Sequence, residues 1–361
     1  MPHLRQDAAT KEWVIFAPER ARRPEDMRKE SLARSGWTHD HPHYDERCPF
    51  CPGHEEHTPG ETLRYVNPDG TWQVRSCPNR YPALLPGPPP QRDGERFERR
   101  MQGVGRHEVI IESPCHGTTL ALQSPEEVNV VVQAWAERYR ELRAGPEAEH
   151  VILFKNHGAR GGTSLAHPHS QVVSLPVTPR TVRNRMEEAM RYHNDYGECV
   201  HCHMLWREKL DGRRLVVEGQ TCSAFVPFAA ASPYLMWIVP HRHTGCPSDL
   251  RPEEQVDFAA VLREALARFY HGLGDPDYNL IFRTASRDYG SVPFAHWYAA
   301  MIPRVTTPAG FEVGTGMYIN THLPEDDASY LRELELPEGS TPAVAARETS
   351  PEPANGQAPH G

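Results

Sequence analysis

No run of apolar residues in this 361-residue chain approaches the roughly 20 that a membrane-spanning helix requires. The N-terminus, MPHLRQDAATKEW, lacks the apolar stretch of a secretory signal as well, so a cytoplasmic protein is expected. Positive charge is in deficit: 39 Lys and Arg against 48 Asp and Glu leave a formal net charge of −9. That excludes a broad electrostatic drive toward nucleic acid or an acidic membrane, and any phosphate recognition must be local. In a reducing compartment the eight cysteines are expected as free thiols. A close pair among them then reads as metal-binding or redox-active before it reads as a disulfide.

What is present is a chain long enough for two cores, with the 38% hydrophobic and 24% charged composition of a globular protein. Residues 336–361 are rich in Pro, Ala, Gly and Glu with almost no large apolar side chains, and are expected as a disordered tail. Leu85 to Arg100, with four prolines and many charges, reads as a long loop.

Between these stretches the chain repeats itself. HEVIIESPCH, SPEEVNVVVQAW, VILFKN, a Gly-rich loop and AHPHSQVVSLP are followed in the same order by MWIVPHRH, RPEEQVDFAAVL, NLIFRT, a loop and AHWYAAMIPR. Pro125 and Pro252 lie 127 positions apart, and His167 and His296 lie 129 apart. In the first helix Ser124 is a cap, Pro125 suits the first turn and Glu127 completes a capping box. Val128, Val131, Val132, Trp135 and Leu142 then share one face, as Phe258, Val261, Leu262, Ala265 and Phe269 do in the second helix, with Gly272 as its expected stop. Two units of strand, helix, strand, loop, strand predict an α+β fold in which a largely antiparallel sheet is shared and helices pack on its face.

The chemistry concentrates in Asn156 to Gln171, NHGARGGTSLAHPHSQ. Three glycines let backbone N–H groups approach an anion closely, as a phosphate cradle requires. On an extended segment His167 and His169 face the same way. Cys48-Pro-Phe-Cys51 is a knuckle suited to tetrahedral zinc; a redox pair is the rival, but no thioredoxin-like context surrounds it. Two more ligands are needed. His116 and His167 are the candidates, and spacing alone leaves His107, His41 and His43 open.

CPFCPG, PNRYPAL, GRHEVIIESPCH, NHGARGGTSLAHPHSQ and AGFEVGTGMYIN together resemble galactose-1-phosphate uridylyltransferases, a branch of the histidine-triad superfamily, from about Trp13 to Arg332. The resemblance implies two histidine-triad-like halves, 1–180 with zinc and nucleophile and 181–335 without the nucleophile. It makes Cys48, Cys51, His116 and His167 the ligands of one structural zinc, and His169 the nucleophile. It gives Asn156, Ser164 and Gln171 to the substrate phosphates, Asn79 and Tyr81 to the nucleotide side, and Phe311, Glu312 and Gly316 to the sugar-side loop. Arg20 and Arg23 match a basic pair that reaches the neighbouring subunit, which implies a homodimer. Ser170 and Gln171 are the expected donors to the phosphorus, with Gln171 counted as catalytic.

Two departures shape the expectations. Relatives with a second metal carry a His-x-His pair in the second-copy strand, where this chain has His296-Trp-Tyr298, so one zinc per chain is expected. Tyr298 also stands where the first copy has His169, so only one half can form an adduct. Cys199-Val-His201-Cys202-His203 looks like a further knuckle, but without an obvious second ligand pair, Cys222 aside, it reads as incidental cysteines. The expected activity is uridylyl transfer between UDP-glucose and a hexose 1-phosphate. The HSQ ending also resembles ADP-glucose phosphorylase-like members, making ADP-glucose:phosphate adenylyl transfer the nearest rival. A non-catalytic zinc-containing nucleotide binder is the alternative from another class.

Overall fold

The computed structural model describes residues 1–20, 24–34, 42–95, 97–289 and 292–337. Arg23, His41 and the expected tail from 338 onward lie outside them. Thirteen strands are present: β1 (His3–Gln6), β2 (Trp13–Phe16), β3 (Leu63–Val66), β4 (Trp72–Pro78), β5 (His107–Ile111), β6 (His150–His157), β7 (His169–Leu175), β8 (Leu215–Glu218), β9 (Cys222–Phe225), β10 (Met236–Pro240), β11 (Tyr278–Arg283), β12 (Tyr298–Pro303) and β13 (Tyr318–Asn320). Seven α-helices accompany them: α1 (Pro24–Arg34), α2 (Pro125–Ala144), α3 (Arg180–Tyr196), α4 (Val200–Asp211), α5 (Pro252–Leu273), α6 (Gly310–Thr315) and α7 (Pro324–Glu333).

Ten strands form one sheet in the order β3-β4-β5-β7-β6-β11-β12-β10-β9-β8, and every neighbour is antiparallel. Read from each edge to the centre, the halves are β3-β4-β5-β7-β6 and β8-β9-β10-β12-β11. The repeat seen in the sequence is therefore a repeat of topology, joined where β6 meets β11. β1, β2 and β13 make a separate three-stranded sheet.

The two repeat helices form where the sequence places them. Ser124 accepts from the Glu127 backbone, Glu127 reaches back to the Ser124 N–H, and Pro125 opens the first turn of α2. Val128, Val131, Val132, Trp135 and Leu142 are buried, as are Phe258, Val261, Leu262, Ala265 and Phe269 of α5. These faces meet each other and one side of the sheet in a single core. The expected stop at Gly272 is corrected: that glycine is buried within α5, and the left-handed residue that ends the helix is Gly274, at φ 73°. Among its described residues, Leu85 to Arg100 holds no helix or strand, only isolated bridges at Leu85 and between Asp93 and Arg100.

Strand alternation leaves a charged pair on the helix-covered side. Lys155 Nζ lies 2.6 Å from Glu112 Oε2, with side-chain exposures of 2% and 0%, and also donates to the His169 carbonyl at 3.3 Å. Removing one partner of such a pair strands the other charge out of water, at a cost of about 3–5 kcal/mol. Lys155→Met should therefore lower stability by that order in a denaturant melt. Glu112→Leu combined with it should recover most of the loss, and if the double variant is no better than the single one, the pair is not what holds this strand crossing.

Candidate active site and metal centres

Alternation along β7 decides what each residue of His169-Ser170-Gln171 can do. Ile111 and Val109 of β5 lie opposite His169 and Gln171, on the side of the sheet away from α2. Ser170 points the other way, buried at 1% exposure with its hydroxyl accepting from Trp135 Nε1 at 2.6 Å. The expectation that Ser170 touches substrate is thus corrected: its side chain anchors α2 to the sheet.

His169 is 7% exposed, and its Nδ1–H donates to the His167 carbonyl at 2.8 Å. That bond fixes the tautomer and leaves Nε2 as a free lone pair. Burial pulls the His169 pKa down to about 4, so the ring is the neutral base throughout the physiological range. Phe50, from the Cys48–Cys51 knuckle, packs edge-on against it at 5.6 Å.

Gln171 owes its orientation to a residue that sequence reasoning had weighed only as a metal ligand. The Ala83 N–H donates to His107 Nδ1 at 3.1 Å, so the neutral ring carries its proton on Nε2, which donates to Gln171 Oε1 at 2.7 Å. The amide nitrogen of Gln171 is left to serve as a donor elsewhere. Asn79 lies 3.1 Å from the same imidazole and accepts from the Tyr81 N–H, while the Tyr81 side chain is exposed.

The Gly-rich loop is tied down from the second half. Asn279 Nδ2 donates to Asn156 Oδ1 and to the Gly161 carbonyl, and Asp277 accepts from the Arg160 N–H. Gly158 has φ 73°, and a Cβ there would meet Asp277 Oδ1 at 1.8 Å, so both backbone angle and space demand glycine. Ser164 follows in the same loop. Phe311, Glu312 and Gly316 all belong to the α6 segment: Phe311 is 44% exposed, Glu312 accepts from the Ala309 N–H, and Gly316 ends the helix at φ 72°. Arg20 closes a short 3-10 turn, Pro18–Arg20.

Cys48, Cys51, His116 and His167 come together as four buried donors within 4.8 Å of one another. His167 donates from Nε2 to the Ser113 carbonyl at 2.7 Å and turns Nδ1 toward both thiols at 3.7 Å, while His116 Nδ1 faces Cys51 at 3.5 Å. A fixed tautomer with the free nitrogen aimed at two sulfurs is what a tetrahedral Cys2His2 centre needs. Burial holds the Cys48 thiol up at about 11, so a bound cation is what would favour its thiolate. His107 serves Gln171 instead, and His43 lies against Cys115.

A second group of the same kind assembles from Cys199, Cys202, His243 and His296. His243 and His296 turn Nδ1 toward Cys202 at 3.4 and 3.2 Å. Tyr298 contributes no atom to the group, so the four donors can hold a second metal where one per chain was expected. Cys222 is not part of the group and lies 3.6 Å from Asp257. Metal analysis of protein purified without added metal should find two equivalents of zinc, falling to one in His296→Ala. A single equivalent in the parent protein would show that the second set stays as free thiols.

Comparison with known proteins assigns this duplicated antiparallel sheet to the class of nucleotidyltransferases. A family model described as the N-terminal domain of galactose-1-phosphate uridyl transferase matches residues 1–179. ADP-glucose phosphorylase of Arabidopsis thaliana is 33% identical over 93% of this chain and 93% of its own. Galactose-1-phosphate uridylyltransferase of Thermotoga maritima is 28% identical over 93% and 99%. Among solved structures, an Arabidopsis thaliana ADP-glucose phosphorylase with bound ADP-glucose has a TM-score of 0.78 at 31% identity, covering 93% of this chain and 100% of that one. The chain belongs to the galactose-1-phosphate uridylyltransferase family.

Proposed function

We propose that the protein transfers a uridylyl group from UDP-glucose to a hexose 1-phosphate through a covalent nucleotidyl-His169. The observation that carries this reading is the hydrogen bond from His169 Nδ1 to the His167 carbonyl, which leaves Nε2 unprotonated. Nε2 attacks the α-phosphorus, an N–P bond forms, and the bond to the β-phosphate oxygen breaks to release glucose 1-phosphate. The His167 carbonyl stabilises the positive charge that the ring acquires. The leaving group is a weak base, so the main demand is charge stabilisation at phosphorus, met by the Gln171 amide and the loop N–H groups. A phosphate oxygen of the acceptor then attacks the adduct and returns His169 to its free state. Cys48, Cys51, His116 and His167 would hold a zinc ion, which would supply rigidity to the strand that carries His169.

In this reading Asn156 and Ser164 hold phosphate oxygens, and Asn79 and Tyr81 form the nucleotide side. Phe311, Glu312 and Gly316 form the sugar-side loop, and Arg20 and Arg23 reach the phosphates of the neighbouring subunit in a homodimer. Residues 1–180 and 181–335 are the two halves of the duplication. A second reading, adenylyl transfer between ADP-glucose and inorganic phosphate, uses the same adduct and is favoured by the 33% identity to a protein named ADP-glucose phosphorylase. Mass spectrometry after incubation with UDP-glucose or ADP-glucose separates the two, because the added mass identifies the nucleotide. No adduct from either donor would overturn both.

A further inference from the structure

The duplicated sheet places a second cavity where the second half should have its own active site. β12 lies between β10 and β11 as β7 lies between β5 and β6. Arg283 is directly opposite Tyr298, and the β6–β7 register, continued by two residues, sets Asn156 opposite His169 in the same way. The second half therefore carries a phenol in place of the imidazole and a guanidinium in place of an amide. Around them is a cavity of about 650 Å³, lined also by Arg185 and Asn184 of α3 and by Asp7 and Glu12 from the β1–β2 connection.

Neither arginine has a hydrogen-bond or ion-pair partner among the described residues. Arg185 is buried enough that desolvation pulls its guanidinium below the usual range; Arg283 pushes it the same way, against the opposing pull of Tyr298 and Glu12. Of the two carboxylates, Glu12 attracts both guanidiniums through space, so two cations face one carboxylate and are only partly neutralised. Asp7 is occupied by the Ala9 and Thr10 N–H groups at 2.7 and 3.0 Å, and Glu12 makes no ion pair. Burial holds both acids above their ordinary pKa, and for Glu12 it outweighs the lowering pull of Arg185 and Arg283. Two mutually repelling cations against a cavity are costly unless an anion arrives. A phosphate group fits two guanidinium forks.

We propose that this cavity is a second, non-transferring site for a sugar phosphate, its phosphate held between Arg185 and Arg283 and its hydroxyls facing Glu12 and Asn184. Tyr298 cannot replace His169 as a carrier there: its phenol is buried against Trp237, with ring centres 4.3 Å apart, and burial favours its neutral form. The ligand binds and leaves unchanged.

Equilibrium dialysis of glucose 1-phosphate against the full chain is expected to find two equivalents per chain, one at the His169 site and one in the cavity. Arg283→Met should weaken the second at least tenfold, on the order expected for a lost charge-assisted contact. Arg185→Met should do the same and, because it removes a like-charge contact, the ligand-free variant should melt no lower than the parent. A structural arginine would lower it. Inorganic phosphate should compete for the cavity at least tenfold more weakly, and equal competition would overturn the sugar assignment. One equivalent in the parent that is lost with Arg283 would mean that only the His169 reading has failed. A second equivalent that survives both substitutions, or a single one indifferent to them, sinks the cavity proposal.

Discussion

His169→Gly should abolish adduct formation and transfer while zinc content and thermal melting stay at the parent values. The change removes a side chain whose Nε2 is the proposed nucleophile and whose Nδ1 bonds to a backbone carbonyl two residues away. Neither contact holds the sheet together. Initial rates in the parent should follow ping-pong kinetics, and donor alone should release one equivalent of sugar 1-phosphate per active site. The first half-reaction should show no rate limb from His169 between pH 5 and 8, since its pKa is pulled down to about 4. The adduct, a phosphoramidate, should be labile in acid and persist in alkali. Added imidazole offers a further check by filling the vacated space. A labelled adduct on the Gly variant, or rate plots that intersect as for a ternary complex, would remove His169 from the mechanism.

The parts of this site that the sequence made legible are those set by short-range rules. Ser124, Pro125 and Glu127 fix the start of α2 because a cap needs three residues at fixed spacing. His167 and His169 share a face because strands alternate, and the same rule should have turned Ser170 inward, where the Trp135 indole donates to it. The second metal group was equally written in the chain. Cys48, Cys51, His116 and His167 recur in order as Cys199, Cys202, His243 and His296. It is obscured because Tyr298 breaks the His-x-His pattern of the first copy, while the ligand position is 296 just before it. What no local pattern could show is the placement of His107 against Gln171, which depends on β5 pairing with β7 across 64 residues. The unpaired Arg185 and Arg283 are likewise visible only once α3 and β11 are packed together.

Replacing His167 should have a consequence opposite to that of replacing His169, although the two lie two residues apart on one strand edge. His167 is 0% exposed, and it links the Cys48–Cys51 knuckle to the Ser113 carbonyl that follows β5. Binding energies of structural zinc run to roughly 10–16 kcal/mol near neutral pH. A whole domain is stable by only about 5–15 kcal/mol, so losing this metal is comparable to losing the fold around it. His167→Ala should therefore lose one zinc equivalent, lower the melting temperature markedly and abolish transfer, even though His169 is still present. A strong chelator should reproduce all three effects in the parent, with the rate of metal loss and the rate of inactivation matching. His296→Ala supplies the control, because it should cost the other equivalent while adduct formation at His169 persists. Should His167→Ala keep two zinc equivalents and melt with the parent, the Cys48–Cys51–His116–His167 group is not a folding centre, and the rigidity of the nucleophile strand must come from the Lys155–Glu112 pair alone.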